Sequence, residues 1–290
     1  MENTGGEFVT RFYILTDIHS CCKEAVQALT EKGFFDDKDA KLIVCGDYLD
    51  RGKEPHETVD FLLKIKREGR LILIRGNHED LFEDALADVE MSGFDYVLSD
   101  GVSVTNGTVG TFLALANMTR EQALASPLTL AKRIKKSDFY NEILPECKDY
   151  FETENYVFTH GWIPCEAYRA EKPYDVYGNG QMQTFGYKAY RYNSGWRNAS
   201  LAKWKEARFL NGMDMAVNHK ITVPYKTVVC GHYTTSYGHS VLGKSLERTH
   251  TRYSVGADFS PFYAKGIIAL DGLVFHSGVM NCIVIEDNEL

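Results

Sequence analysis

The sequence has no long apolar run, no paired-cysteine motif and no excess of basic residues. Its uninterrupted apolar stretches end after about six residues, well short of the roughly 20 that span a bilayer, so no transmembrane helix is expected. The opening MENTGGEF lacks both the basic and the apolar part of a signal peptide, and a cytoplasmic location is expected. The seven cysteines (Cys21, Cys22, Cys45, Cys147, Cys165, Cys230 and Cys282) are odd in number and scattered, with no CxxC pair. That excludes a disulfide framework or zinc knuckle as the organising device and leaves reduced, mostly buried thiols. The sequons at Asn106, Asn117 and Asn198 have no role without secretion. A formal charge of −8 argues against nucleic-acid binding, which draws its affinity from clustered Lys and Arg. The densest basic cluster, Lys132 to Lys136, reads as one solvated face of a helix. No linker, repeat or low-complexity segment divides the chain.

What is present is 290 residues that are 44% hydrophobic and 25% charged, ample for one globular domain, 1–290, with a buried core. The first ninety residues alternate strand-like and helix-like segments: Arg11 to Thr16 then Cys22 to Lys32, Lys41 to Cys45 then His56 to Glu68, Leu71 to Ile74 then Asp80 to Met91. Val59, Leu62 and Leu63 share one face of the second helix, and Phe82, Ala85, Leu86 and Val89 one face of the third. Gly33, Gly69 and Gly93 follow the three helices where left-handed caps belong. This rhythm predicts an α/β fold. From about 94 to 150 the strand signal fades into an expected loop, Ser99 to Thr111, and a helix from Leu128 to about Leu144 ended by Pro145. That segment reads as an insertion or helical cap. Strands resume at Tyr156 to Thr159, Thr227 to Cys230, Gly266 to Leu270 and Cys282 to Ile285, around a second excursion, 166–226, rich in Tyr, Trp and Arg.

The chemistry-bearing residues gather just after the strands: Asp17-Ile18-His19, Gly46-Asp47 with Asp50-Arg51-Gly52, Gly76-Asn77-His78-Glu79, His160-Gly161 and Gly231-His232. Strand C-termini of an α/β sheet share one edge, where ligands usually bind. Asp17, His19, Asp47, Asn77, His160 and His232 offer three oxygen and three imidazole ligands, a borderline set suited to Mn, Fe or Zn. Six are too many for one catalytic ion that keeps an open position; with Asp47 bridging, they suit two ions about 3.5–4 Å apart. Five specified positions in GDxxDRG arise by chance in a chain this long with a probability on the order of 10⁻⁴, so coincidence is not a competitor.

These motifs, DIH, GDYLDRG, RGNHE, HG and GH, resemble in identity, order and spacing those of the calcineurin-like metallophosphoesterases. Within them the likeness is to the phosphoprotein phosphatases, which include serine/threonine protein phosphatases and bacterial diadenosine tetraphosphatases. The motif frame runs from 17 to 232 and is dense to Glu79. Diesterase branches close with GHxH; here Thr234 takes the place of the second His. The resemblance implies a four-layer sandwich, central mixed β-sheets flanked by helices. It implies that Asp17, His19 and Asp47 hold one ion, with Asp47, Asn77, His160 and His232 holding the second, and that a water between the ions attacks phosphorus directly. His78 would protonate the leaving oxygen, Asp50 would hold its imidazole, and Arg51 would fork onto phosphate oxygens. Arg197 and Arg208 are the candidates for a second phosphate-binding arginine.

Outside the motifs, Glu79 and Arg75 read as braces of the loop through ion pairs. His56, His219, His239, His250 and His276 read as structural or exposed, with His239 the one that could line a rim. Tyr187, Tyr190, Tyr192 and Trp196 read as core of the second excursion. The first motif lacks the family's flanking glycines, Thr16 and Ser20 standing there, and Gly161-Trp162-Ile163-Pro164 replaces the phosphatases' Gly-Gly-Leu-Ser-Pro. Three functions are therefore weighed. The first is a Mn-dependent phosphomonoesterase of bacterial serine/threonine-phosphatase type, acting on phosphoproteins or small phosphate esters. The second is a dinucleoside polyphosphate hydrolase, and the third a catalytically silent phosphate-binding protein, for which the complete ligand set argues poorly.

Overall fold

The computed structural model describes residues 9–175, 182–242 and 256–290. Four strands form the first sheet: β1 (Thr10–Leu15), β2 (Lys41–Cys45) and β3 (Leu71–Ile74) are parallel, and β11 (Ile283–Asp287) runs antiparallel beside β1. Five form the second, in the order β4 (Phe151–Glu152), β5 (Tyr156–Phe158), β8 (Thr227–Cys230), β10 (Ile267–Ala269) and β9 (Phe262–Ala264). There β5, β8 and β10 are parallel, and the two outer strands are antiparallel to their neighbours.

Side-chain alternation along the strands explains the layering. Phe12, Ile14, Ile43 and Cys45 turn inward and meet Phe158, Val229 and Leu270 of the second sheet. Tyr13, Leu15, Leu42 and Val44 turn outward onto α1 (Cys22–Lys32), α2 (Pro55–Arg67) and α3 (Asn77–Ser92) through Leu29, Leu62 and Phe82. On the other outer face, Val157, Val228 and Cys230 pack against Trp162, Trp196, Trp204 and Met213. The order helix, sheet, sheet, helix is the four-layer α/β sandwich that the motifs imply.

Several local expectations are corrected. Ser99 to Thr111, expected as a loop, is helical: α4 (Phe94–Ser99), α5 (Gly101–Asn106) and α6 (Thr108–Ala116) follow one another. Asp100 caps α5 by accepting the N–H groups of Val102 and Ser103. The Gly, Ser and Thr content reads as loop, but in α6 the polar Thr108 and Thr111 are buried rather than solvated, beside the buried Phe112. After α7 (Arg120–Ala125), the helix expected from Leu128 to Leu144 stops early: α8 (Pro127–Ile134) ends, and separate turns at Phe139–Ile143 and Leu144–Glu146 replace its continuation. The second excursion holds an antiparallel hairpin, β6 (Glu166–Asp175) with β7 (Met182–Arg191), then α9 (Leu201–Arg208) and α10 (Gly212–Val217). Gly33 and Gly69 adopt left-handed conformations, but Gly93 has φ 94° with ψ 167°, an extended turn that leads straight into α4.

Candidate metal centre and active site

Two loops at the sheet edge are zipped together by backbone hydrogen bonds. The N–H groups of Asp17, His19 and Ser20 donate to the carbonyls of Gly46, Asp47 and Tyr48 at 3.1, 2.9 and 2.9 Å. The cost is backbone strain: Asp17, His19, Ser20, Asp47, Asp50, Arg51 and His232 all have φ between 46° and 71°. L-residues enter this region reluctantly, and such clusters persist where surrounding contacts over-determine them. Gly231 is required by proximity, since a Cβ there would run into the Asp17 carboxylate.

Helix α3 begins at Asn77, three residues before the expected start, which places Asn77 and His78 in its first turn. Glu79 reaches back from that turn: Oε2 accepts the N–H groups of Gly76 (2.7 Å) and Asp47 (3.0 Å), and Oε1 that of Tyr48 (3.1 Å). Glu79 thus braces the site through backbone donors, whereas Arg75 pairs with Asp80 and Glu83. Burial, and then the charge of Asp47, raise the Glu79 carboxyl to about 7.

Asp47 is the hub. Its Oδ1 accepts the His78 N–H at 3.1 Å and lies 3.3 Å from His160 Nε2, while Oδ2 lies 3.5 Å from His19 Nε2 and 3.8 Å from His78 Nε2. Among the described residues, two groups have ligand atoms within 4.8 Å of one another, His19 with Asp47 and His78, and Asp47 with His160 and His232. Both contain Asp47. Asn77 joins the second, its Oδ1 2.8 Å from His160 Nε2. Asp17 belongs to neither group; its carboxylate accepts the His232 N–H at 3.0 and 3.1 Å.

The donor set fits divalent ions. His19 and His160 each engage Nδ1 with a main-chain carbonyl, of Leu49 (3.0 Å) and Cys45 (2.8 Å). That fixes the tautomer and turns the Nε2 lone pair toward the hub. In His160 it faces oxygens of Asn77 and Asp47, an arrangement a cation satisfies, and in His19 it lies 3.5 Å from Asp47 Oδ2 with Arg51 Nη1 beside it. Burial first, then Asp271 and Asp47, push the Asp17 carboxyl well above the usual range, and no ion pair to Asp17 occurs among the described residues. Burial also lowers His19 and His160, and His232 to about 3, keeping these imidazoles neutral as ligation requires. Burial opposes ionisation of Asp47, yet the surrounding histidines, His160 foremost, hold its carboxyl well below the ordinary range.

Beside the hub, His78 Nδ1 donates to Asp50 Oδ2 at 2.7 Å. Burial opposes a charge on His78, but Asp47 and Asp50 outweigh it and raise the imidazole. Arg51 bridges the mouth, Nη1 3.2 Å from His19 Nε2 and Nη2 3.0 Å from His78 Nε2, with its guanidinium 4.9 Å from the Phe275 ring centroid. A 670 Å³ cavity adjoins it, lined by Arg51, Thr105, Gly107, Phe275 and His276.

Arg197 and Arg208 are engaged elsewhere. Arg197 donates through Nε to Glu152 at 2.8 Å and stacks 4.4 Å from the Trp196 ring centroid. Arg208 is 2% exposed, with Nη1 on Asp80 at 2.6 Å and Nη2 on Asp149. Neither guanidinium contacts the hub, because each neutralises carboxylates of its own surroundings. His239 bonds the Ser260 carbonyl, His56 that of Ala114, and His219 lies by Asp214; His250 lies outside the described residues. Trp196 is buried, with Tyr190 and Tyr192 packed against the same core, while Tyr187 is exposed. Sequence reasoning missed Thr108, Thr111 and Phe275, none of which sits in a motif.

Fold and site together define an α/β sandwich with an Asp/His cluster at the carboxyl edge of its parallel strands. The model of the calcineurin-like phosphoesterase family matches residues 10–236, and the chain belongs to that family. It is 36% identical over 67 residues to the symmetrical bis(5'-nucleosyl)-tetraphosphatase of Buchnera aphidicola subsp. Schizaphis graminum (strain Sg). It is 37% identical over 67 residues to that of Buchnera aphidicola subsp. Acyrthosiphon pisum (strain Tuc7). Each match spans 23% of this chain and 23% of the relative. Among solved structures, the cold-active protein-tyrosine phosphatase of a psychrophile, Shewanella sp., is similar with a TM-score of 0.46 and 13% identity, covering 97% of this chain and 76% of that one. A putative diadenosine tetraphosphatase gives a TM-score of 0.43 and 14% identity over 98% and 91% of the two chains. Among the described residues, no helix is long and apolar enough to cross a membrane.

Proposed function

We propose that this protein is a dinuclear-metal-dependent phosphomonoesterase of serine/threonine-phosphatase type, acting in the cytoplasm on phosphoproteins or small phosphate esters. The observation that carries this reading is the convergence on Asp47 of His19, His160 and His232, with the Asp50–His78 pair and Arg51 beside them. Asp17, His19 and Asp47 would hold one ion, and Asp47, Asn77, His160 and His232 the other, manganese being the first choice. Such ions supply Lewis-acid polarisation of the phosphoryl group and activation of water.

The chain's own residues do the rest. Arg51 takes the phosphate oxygens in its fork, leaving the imidazoles it otherwise donates to. Asp47 and Asp50 favour the protonated His78 ring. With Nδ1–H held by Asp50, Nε2 faces the cleft and, once Arg51 has turned to phosphate, carries the second proton and delivers it to the departing oxygen. An alkoxide leaves poorly without that proton.

The second reading, dinucleoside polyphosphate hydrolysis, is favoured by one feature, the cavity beside Arg51 that carries the partly exposed Phe275 ring and could receive a nucleoside. Turnover by metal-stripped protein with Mn²⁺ restored, on p-nitrophenyl phosphate, a phosphoserine peptide and diadenosine tetraphosphate, tests both. Hydrolysis of the monoesters, lost in the peptide assay for His78→Ala, is the expected result. Turnover of the dinucleotide alone promotes the second reading, and no turnover by folded two-metal protein leaves a phosphate-binding protein.

A further inference from the structure

We infer that Thr108 and Thr111, in the first turns of α6, are positioning residues for the proton donor, so that the helical insertion is part of the catalytic apparatus. The inference rests on the phosphomonoesterase reading and extends it to residues outside every motif.

Asp50 is 3% exposed and must keep its carboxylate oriented without water. Three donors do this. His78 Nδ1 and Thr108 Oγ1 donate to Oδ2 at 2.7 and 2.9 Å, and Thr111 Oγ1 donates to Oδ1 at 2.6 Å. Thr111 Oγ1 also accepts the backbone N–H of Asp50 at 3.1 Å, which leaves its own proton for the carboxylate. One hydroxyl therefore holds both ends of the residue. With both oxygens tied, the carboxylate plane cannot rotate, and the imidazole bonded to it presents Nε2 in one direction, 3.0 Å from Arg51 Nη2.

The support is rigid and reciprocal. Phe112 of α6 is fully buried and meets Phe82 of α3 edge-on at 5.0 Å, so the insertion packs on the helix that begins with Asn77 and His78. Gly107, at φ 90°, lets the start of α6 approach the turn, since a Cβ there would strike the Arg51 backbone nitrogen. Asp50 and Arg51 themselves hold φ of 71° and 61°, a strained turn that needs such external ties.

A pair of threonines that only satisfied a buried charge would affect all substrates alike. Positioning of a general acid has a different signature, because dependence on the proton grows as the leaving group worsens. The test compares kcat and KM of the Mn²⁺-loaded full chain on a phosphoserine peptide and on p-nitrophenyl phosphate. The variants are Thr108→Val, Thr111→Val, both together, and the matching Thr→Ser forms. The expected result is a fall in kcat on the peptide of about ten- to a hundredfold in the double Val variant, a part of the roughly 10²–10⁴ that general acid catalysis supplies. On the aryl ester the fall stays within about threefold, KM is little changed, and Ser restores the peptide rate. Equal losses on both esters, no loss, or Ser variants as poor as Val overturn the inference. Should the double variant not fold, Thr108→Val alone, which removes one of three donors, must show the same split in smaller measure, and its absence overturns the inference equally. A wild-type chain inert on both esters would sink the phosphomonoesterase reading and this inference with it, whereas an active wild type with unsplit variants sinks the inference alone.

Discussion

Replacing Glu79 should loosen the whole site, and the structure sets the size of the effect. The side chain is 1% exposed and its two oxygens accept three main-chain N–H groups, those of Gly76, Asp47 and Tyr48. Glu79→Ala strands all three in a dry environment. At about 1 kcal/mol for each unsatisfied donor, the low end of the range, the loss is about 3 kcal/mol. Glu79→Gln keeps one oxygen for Gly76 and Asp47 but turns its amide NH2, a donor, against the Tyr48 N–H, for a loss of about 1–2 kcal/mol. With about 2 °C per kcal/mol for a chain of this size, Tm should fall by about 6 °C for Ala and about 2–4 °C for Gln. The measurement belongs at pH 8, above the value of about 7 to which burial and Asp47 raise this carboxyl. Thermal denaturation of EDTA-treated protein reads stability, and phosphatase turnover with Mn²⁺ restored reads the displacement of Asp47. Tm values unchanged within about 1 °C, or an Ala variant milder than Gln, would show that the backbone donors find other partners and refute the reasoning.

Further outcomes follow from the charged groups. Arg208→Ala removes the buried partner of Asp80, which keeps Arg75, and of Asp149, which is partly exposed, and should cost about 3 kcal/mol, the low end for a broken buried pair. Arg197→Ala, at the surface beside Glu152, should cost within about 1 kcal/mol and leave KM for p-nitrophenyl phosphate unchanged, whereas Arg51→Ala should raise it; urea titration and initial rates check both. For acid stability, His232 is lowered to about 3 by burial, His160 adding to it. The unfolded imidazole, near 6.5, then binds a proton that the folded one refuses, so this contribution is present above about pH 6.5 and is lost as pH falls towards about 3. In EDTA-treated protein, His232→Asn should therefore lose less stability on acidification than wild type across that window, and parallel curves would contradict the assignment.

The α/β rhythm and the strand-end residues were legible because both are local. The short apolar runs of β1 and β2, buried on both faces, and the helical face of α3 are each set by a few neighbouring residues, and the parallel strands carry Asp17, Asp47, His160 and His232 to one edge by topology alone. The first turn of α3 was not legible, since Gly76 to Glu79 reads as a loop until Glu79 is seen to reach across to Asp47 and Tyr48. Arg197 and Arg208 were named on position and charge, yet the carboxylates that hold them come from distant segments: Glu152 for Arg197, and Asp80 and Asp149 for Arg208.

By itself the sequence determined the α/β rhythm and the strand-end residues of the hub, because periodicity and motif spacing act over a few neighbouring positions, while the sandwich came only as what the motifs' resemblance to a family implies. Only the tertiary structure decided what orients the hub residues. Thr108 and Thr111 lie 58 and 61 positions from Asp50, in a segment whose Gly, Ser and Thr content looks like loop. A buried hydroxyl becomes part of the site only when folding removes the water it would otherwise bind and leaves a carboxylate in its place.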